Sequence, residues 1–483
     1  MKLWQPTLLT LALAAAHPLP AAAHTNDELL KELRALRDRV QQLEDKLKAA
    51  TPTKAPAAAP APVTAVAPAL APAPVAVGMT PDQAREMARL ALKVDTLEEE
   101  KENSFAKGLT INGSIDPTFI YNRAQNRAGF QLLNSAQIGP YAYDNSFFGT
   151  ATLDIQKALE GGTKFRVTIM PDRGVGSHIN FASIVHEASV SIPIDGDETR
   201  LFAGQIPDWS GYELVPSKDN KLVTHNLLFD LIAPLAYTGV GLELTRGDWV
   251  LKGIVGNFNS TKREPNEKSP VFAYRGDYSI NEYSGIGFSG VHGKAANFVN
   301  GRGANPLDGT GDTGLNLFEI DGYYTRGDWT GQGQISYGQQ AKAAIATKND
   351  DGVSFQTARW IGLSGLAAYK FTPRLEGVVR ADYIHNRQHG GGLLGFGADS
   401  LNGIGPGFDG TLDADDNLVP IGGQRGANRY ALSVGGNFHF NEYTIFKLEY
   451  RFDGATKRVF EYVDSGNFKK TNHLFGAQMV VSF

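Results

Sequence analysis

Apolar and polar positions divide the chain into a helical head and a body that alternates with period two. From residue 108 onward Leu109, Ile111, Ile115, Phe119 and Tyr121 fall on one side, and Thr110, Asn112, Ser114, Asp116 and Thr118 on the other. That repeat belongs to a strand with one greasy and one wet face. It returns over residues 147–155, 165–169, 184–192, 361–371, 430–440, 444–452 and 475–483. Before residue 105 the spacing is three and four instead. Thr25 and Glu28 form a capping box, and Leu29, Leu33, Leu36, Val40, Leu43 and Leu47 then make a narrow seam among charged residues and Gln, the pattern of a self-associating coiled coil. Thr80, Pro81 and Gln83 open a second helix in which Met87, Leu90, Val94 and Leu97 continue the spacing.

Soluble sandwiches also alternate, so the connections have to decide the architecture. Tight links at residues 160–162, 195–197, 246–248, 280–282, 326–328, 372–374 and 441–442 alternate with long Gly/Asn/Asp-rich ones near 123–143, 172–181, 207–236, 258–270, 292–315, 340–356, 387–428 and 454–470. Seven short and eight long links join sixteen strands, and their strict alternation gathers every long loop at one end. Closing such a sheet removes its edges, and sixteen strands enclose an aqueous lumen. The sequence therefore predicts an all-β fold, a 16-stranded antiparallel transmembrane β-barrel over residues 105–483, preceded by a coiled-coil helix (24–50), an Ala/Pro-rich linker (51–79) and a second helix (80–104).

Strand parity then sorts the charges. Asp154, Lys164, Arg166, Glu243, Lys252, Glu319, Asp321, Glu376, Arg380, Asp382, Lys447, Glu449 and Arg451 fall on the inward side and form the expected pore lining, where both signs are costly in lipid and comfortable in water. Trp249, Trp329, Tyr369, Phe371 and Phe440 lie near strand ends and suit an interfacial girdle.

Composition narrows the function. The 483 residues are 42% hydrophobic and 10% aromatic, which excludes disorder of the whole. A mean hydropathy of -0.24, with no apolar run of about 20 residues outside the extreme N-terminus, excludes a helical membrane protein. The balance of 46 basic and 51 acidic residues lacks the basic excess of a nucleic-acid binder. Zero Cys removes disulfides, thiolate metal sites and a Cys nucleophile together. Met1, Lys2, the Leu/Ala-rich residues 8–16 and Ala21, Ala22 and Ala23 read as a secretory signal over residues 1–23. The linker prolines (Pro52, Pro56, Pro60, Pro62, Pro68, Pro72, Pro74) make a semi-rigid tether that extends roughly 80 to 90 Å at about 3.1 Å per residue.

Motifs that could carry other chemistry do not hold together. GIGFSG at residues 285–290 fits a dinucleotide fingerprint but sits in a dyadic strand with no helix after it. Arg-Gly-Asp occurs at 246–248 and 326–328, both in positions that read as short turns. Asp413, Asp415 and Asn417 imitate a calcium loop, yet Leu418 replaces its Gly and Gln424 its Glu. His385 and His389 have no third ligand. No catalytic constellation stands out, so the expectation is a non-enzyme without cofactor or metal.

The terminal NHLFGAQMVVSF, with Phe475, Met479, Val481 and Phe483 on one face, resembles the last strand of Gram-negative outer-membrane proteins. The segments FTPRLEGVVRADYIHN and FNEYTIFKLEYRFDG resemble trimeric porins, in particular the phosphate-selective porins O and P and related barrel porins. The leading LKELRALRDRVQQLEDKL resembles the periplasmic coiled coil that several of those families carry. The resemblance implies passive diffusion of small hydrophilic solutes, a homotrimer in outer-membrane lipid, a periplasmic N-terminal segment, and Phe483 as the signal read by the barrel-assembly machinery. It also implies that the third long loop, residues 207–236, folds inward as a constriction carrying Asp208, Glu213, Lys218, Asp219, Lys221 and Asp230. Here resemblance and residues part. A phosphate-selective pore needs a surplus of inward Arg and Lys, whereas this lining is mixed and this loop leans acidic, so weak ion selectivity is expected. The alternatives are a barrel-anchored tether that reaches peptidoglycan through the coiled coil, and an outer-membrane enzyme.

Overall fold

The computed structural model describes residue 89 and residues 107–124, 126–131, 149–170, 184–234, 236–258, 270–295, 313–349, 352–388, 410–412, 418–420, 427–462 and 464–483. The expected signal, coiled coil and linker lie outside the described residues, as do Asp413, Asp415 and His389; of the second helix only Arg89 is described, and it is helical.

The strands follow in chain order as β1 (Leu109–Ile115), β2 (Thr118–Asn122), β3 (Arg127–Gln131), β4 (Ala151–Ala158), β5 (Lys164–Ile169), β6 (Val185–Asp195), β7 (Thr199–Pro207), β8 (Ala236–Arg246), β9 (Trp249–Phe258), β10 (Val271–Asn281), β11 (Ser284–Ala295) and β12 (Thr313–Arg326). They continue as β13 (Trp329–Asn349), β14 (Gly352–Lys370), β15 (Leu375–Gln388), the small hairpin β16 (Gly410–Leu412) and β17 (Leu418–Pro420), β18 (Arg429–His439), β19 (Thr444–Ala455), the hairpin β20 (Phe460–Tyr462) and β21 (Asn467–Lys469), and β22 (Thr471–Ser482). A 3-10 turn (Ser217–Asp219) and a short α-helix, α1 (Leu227–Leu231), lie between β7 and β8.

Eighteen of these segments make one antiparallel sheet that closes on itself as a barrel of sixteen staves. The count falls by two because β1 and β2 are one stave, both pairing with β22, and β3 and β4 share the next stave, pairing with β2 and β1 respectively. The break falls at Asp116 and Pro117, where proline has no N–H for the ladder. Asp116 is buried there and its carboxylate accepts the Thr150 N–H.

All seven short links are tight turns, and the Gly247 and Gly327 of the two Arg-Gly-Asp segments adopt φ of 56° and 61°, the left-handed conformation glycine tolerates. The long-loop end differs in part from the sequence reading. The connection expected over residues 340–356 is strand: β13 and β14 run on for 21 and 19 residues and meet at Asn349 and Gly352. Polar, Ala-rich residues there gave no apolar alternation, because the hairpin projects past the part of the wall that needs one. Similarly, β2 returns into β3 within a few residues, Asn122 pairing with Arg127.

The outer face is apolar across its middle. Val240, Leu242, Ile286, Ile335, Leu363, Val434 and Leu448 are all exposed, on strands that go most of the way around the wall. An apolar surface of this extent is built for lipid. At the short-turn end Trp249 packs on Tyr278 (centroids 4.7 Å apart), Trp329 on Tyr369 (4.7 Å) and Tyr369 on Phe371 (5.2 Å), a cluster suited to the membrane boundary. Val434→Arg, at the middle of β18 on this face, is expected to lower the folding free energy of the barrel in lipid vesicles by about 2–4 kcal/mol, measured by urea unfolding.

Candidate functional site: a loop folded into the lumen

The segment between β7 and β8 is too apolar to stay in water. Val215, Leu222, Val223, Leu227, Leu228, Leu231 and Ile232 are all buried. They find their partners on the inward face of the barrel, so the segment lies inside the lumen. Helix α1 packs against β14, β15 and β18. Leu227, Leu228, Leu231 and Ile232 join wall residues such as Ile254, Leu315, Leu317 and Trp360 in one cluster, and Leu222 joins Leu366, Ala368 and Val378 in another. Sockets in the wall are made by omitting side chains. A Cβ on Gly362 would lie 2.8 Å from Leu228, one on Gly476 2.9 Å from Val223, and one on Gly435 would collide with Leu222.

Between the two apolar pads lies a charged layer that holds the loop's main chain. Arg380 donates to Glu213 (2.8 Å), to the carbonyls of Thr224 (2.7 Å) and His225 (2.8 Å), and to Asp382 (3.2 Å). Arg451 donates to the His225 carbonyl (2.6 Å) and to Asp453 (2.8 Å), and Glu449 accepts the Thr224 N–H and hydroxyl (2.6 and 2.7 Å). Lys447 donates to the carbonyls of Ser217 and Asn220 (2.6 Å each), and Lys221 reaches Glu376 (2.6 Å). The Ser217 hydroxyl donates to Asp116, so the break in the first stave is also a docking point. At the start of α1 the Asn226 side chain caps Phe229 (2.8 Å), while Glu213 and Asp382 accept the N–H groups of Asn226 (2.5 Å) and Leu227 (3.3 Å), placing carboxylates where the helix dipole favours them.

The opposite wall remains wet. On β5, Arg166 pairs with Asp154 (2.7 Å) and Glu187 (3.2 Å); its side chain is 45% exposed while theirs are 10% and 9% exposed. Lys252 pairs with Glu243 (3.4 Å), both about one-third exposed. Lys164 is exposed. From the loop side Asp219 and Leu214 are exposed and Lys218 half-buried, and Asp219 lies within electrostatic reach of Arg166. The clasp that presents them is made by Asn220, whose amide bonds the N–H (2.9 Å) and carbonyl (2.6 Å) of Leu214, and by Val215 seated against Met170 at the end of β5.

Of the inward residues singled out in the sequence, Lys164, Arg166 and Lys252 thus face water. Asp154 sits beneath Arg166, and Glu376, Arg380, Asp382, Lys447, Glu449 and Arg451 are covered by the loop. Within the loop, Glu213 is buried against Arg380, Asp208 accepts the Tyr237 hydroxyl (2.6 Å), and Asp230 lies 3.7 Å from Arg451. Three further charged groups on the lumen side were missed, Glu187, Arg275 and Asp453, while Asp116, read only as part of the first strand's polar face, is a docking point for the loop. Arg275 bonds Asp321 (2.7 Å), Asp277 and the Trp209 carbonyl (2.7 Å), and its inward parity was readable beside outward Phe272 and Tyr274. Glu187 shares the polar parity of Ser189 and Ser191 and was likewise readable; the register shift where β6 meets β5 falls just before it. Arg380→Ala is expected to weaken loop seating by about 3–5 kcal/mol, because three carboxylates lose a buried cation; cleavage of the loop by added protease should rise accordingly.

A family model described as protein of unknown function (DUF3138) matches residues 4–483. No curated protein matches the chain. Among solved structures it is similar to the anion-selective porin from Comamonas acidovorans (11% identity over 78% of this chain and 99% of that one, TM-score 0.48), to the outer membrane channel DcaP of Acinetobacter baumannii (10%, 78% and 97%, TM-score 0.47) and to OprB of Pseudomonas putida (12%, 81% and 97%, TM-score 0.46).

Proposed function

The chain belongs to the DUF3138 family, and we propose that this member is an outer-membrane porin: a water-filled channel for passive diffusion of small hydrophilic solutes, weakly ion-selective. The observation that carries this reading is a closed barrel, apolar outside, whose inward loop leaves one side of the lumen lined by exposed charges of both signs. Solutes pass between the β5 wall and the loop segment carrying Leu214, Lys218 and Asp219. Arg166 on one side and Asp219 on the other set up a transverse field that orders water and favours small polar solutes over a single ion sign. Lys252 and Arg275 are bound to carboxylates, and Arg380, Lys447 and Arg451 to loop carbonyls, so these groups do not form a ladder for phosphate.

In this reading the barrel sits in outer-membrane lipid as a homotrimer, the N-terminal helical segment lies in the periplasm, and the terminal Phe483 is the assembly signal. A barrel-anchored tether to peptidoglycan is the second reading, favoured by how much of the lumen the loop fills. Planar-bilayer recording separates them: a porin gives discrete conductance steps, and an anchor gives none. In a salt gradient the reversal potential should stay close to zero. A strongly anion-selective potential with current blocked by micromolar phosphate would refute the mixed lining. Because barrel hydrogen bonds close within the chain, deletion of residues 24–104 is expected to weaken the oligomer and leave barrel folding intact, checked by heat-modifiable migration and light scattering.

A further inference from the structure

The layer that holds the loop is short of positive charge. Arg380 and Arg451, both with 0% exposed side chains, serve Glu213, Asp382, Glu449 and Asp453, whose side chains are no more than 3% exposed. Lys447 donates to the carbonyls of Ser217 and Asn220 and adds one positive charge beside Glu449, while Lys221 pairs with Glu376. The other titratable groups the loop brings are Tyr212, whose hydroxyl bonds Ser364 (2.5 Å), His225 and Asp230, and Asp230 adds to the acidic side. β14 and β18 contribute neutral partners here, Ser364 and Ser433; opposite Asp453 stand Asn472 of β22, which accepts the Ala124 N–H, and Ala431 of β18, with the buried Arg429 two residues before it. Five carboxylates, counting Asp230, against two guanidiniums and the Lys447 ammonium, sealed from water, cannot all be ionised, since each surplus negative charge loses its hydration and repels its neighbours.

We propose that seating of the loop on the β15–β19 wall is coupled to proton uptake, so that pH sets how firmly the loop narrows the lumen. Glu213 and Asp230 come from the loop and the other three carboxylates from the wall, so lifting the loop opens the layer to water and lets the surplus carboxylates ionise at their ordinary pH. The seated state therefore binds more protons than the lifted one. By linkage, seating strengthens as pH falls and weakens as pH rises, by about tenfold per pH unit for each proton taken up. For conduction this rests on the porin reading; for loop seating it does not.

The test uses the full-length protein in lipid, between about pH 5 and pH 9. Hydrogen exchange, corrected for its intrinsic pH dependence, is followed at the amides of Thr224 and Leu227, which donate to Glu449 and Asp382. Their protection should fall with rising pH, while single-channel conductance rises or flickers. Asp453→Asn keeps the Oδ1 acceptor for Arg451 and removes one negative charge, so it should flatten the pH dependence of both signals; Glu213→Gln does the same from the loop side. Protection that is independent of pH, or that rises with pH, overturns the proposal. So does an unchanged slope in both variants. If protection shifts as expected but no conductance appears at any pH, the coupling stands and the porin reading falls.

Discussion

The ladder closes where Gly113 and Phe483 exchange two main-chain hydrogen bonds (3.1 and 3.0 Å) and β22 bridges β19 to the split first stave. That closure lets every other feature exist. An antiparallel sheet of this width with two open edges would leave rows of unpaired N–H and C=O groups, impossible in lipid and prone to aggregation in water. Joining first to last stave satisfies them within one chain. Closure also divides space into an outside and an inside, and the two-residue period of the strands assigns each side chain to one or the other. The last residue takes part directly: its ring lies so close to Gly113 that a Cβ there would collide.

Once inside and outside are separate, the lumen becomes a second folding problem. A hollow of this size would fill with water, and the chain instead spends much of it on burying a loop. The inward face is therefore divided by function. From β14 to β22 it is a docking surface with glycine sockets and a charged layer that satisfies the exposed carbonyls of a non-helical segment, and its apolar pad extends to Leu315 and Leu317 on β12 and Ile254 on β9. The pairs of Arg166 with Asp154 and Glu187 and of Lys252 with Glu243 keep the mixed polar lining of a passage. The buried charges on the docking side fix a main-chain path, which apolar contacts alone would leave free to slide, because guanidinium groups donate well only to carbonyls placed in their plane.

How much of this was legible follows from what makes strands readable. The staves with clean alternation, such as β18 with Tyr430, Leu432 and Val434 outward and Ala431 and Ser433 inward, follow from period two alone, and several of the short turns follow from their glycines. The hairpin extension of β13 and β14 was not legible, because outside the lipid band no physical pressure enforces alternation. Parity placed Arg380, Glu449 and Arg451 on the inward face, but parity cannot distinguish water from a loop as the neighbour. The signal for a loop was present and indirect. Seven buried aliphatic residues in a segment between strands have to be covered by something. The glycines at 362, 435 and 476 on inward positions marked where that cover would come close.

This division has a consequence for charge. Read as a list, the inward residues are a mixed set from which no ion preference follows. Read with the loop in place, the list separates into charges that hold structure and charges that a solute can meet. Arg380, Arg451 and Lys447 belong to the first kind: each is buried and each donates to loop carbonyls, so none can attract an anion from solution. What a solute meets is Arg166 with its carboxylates tucked behind it, Lys252 level with Glu243, and Asp219 on the facing loop. The field across the passage is consequently set by few groups, and by which member of each pair is exposed. Moving the loop by a few ångströms would change that set more than any single substitution in the wall, because it would return a whole layer of buried charge to water. Selectivity and loop seating are in this sense one property of the fold.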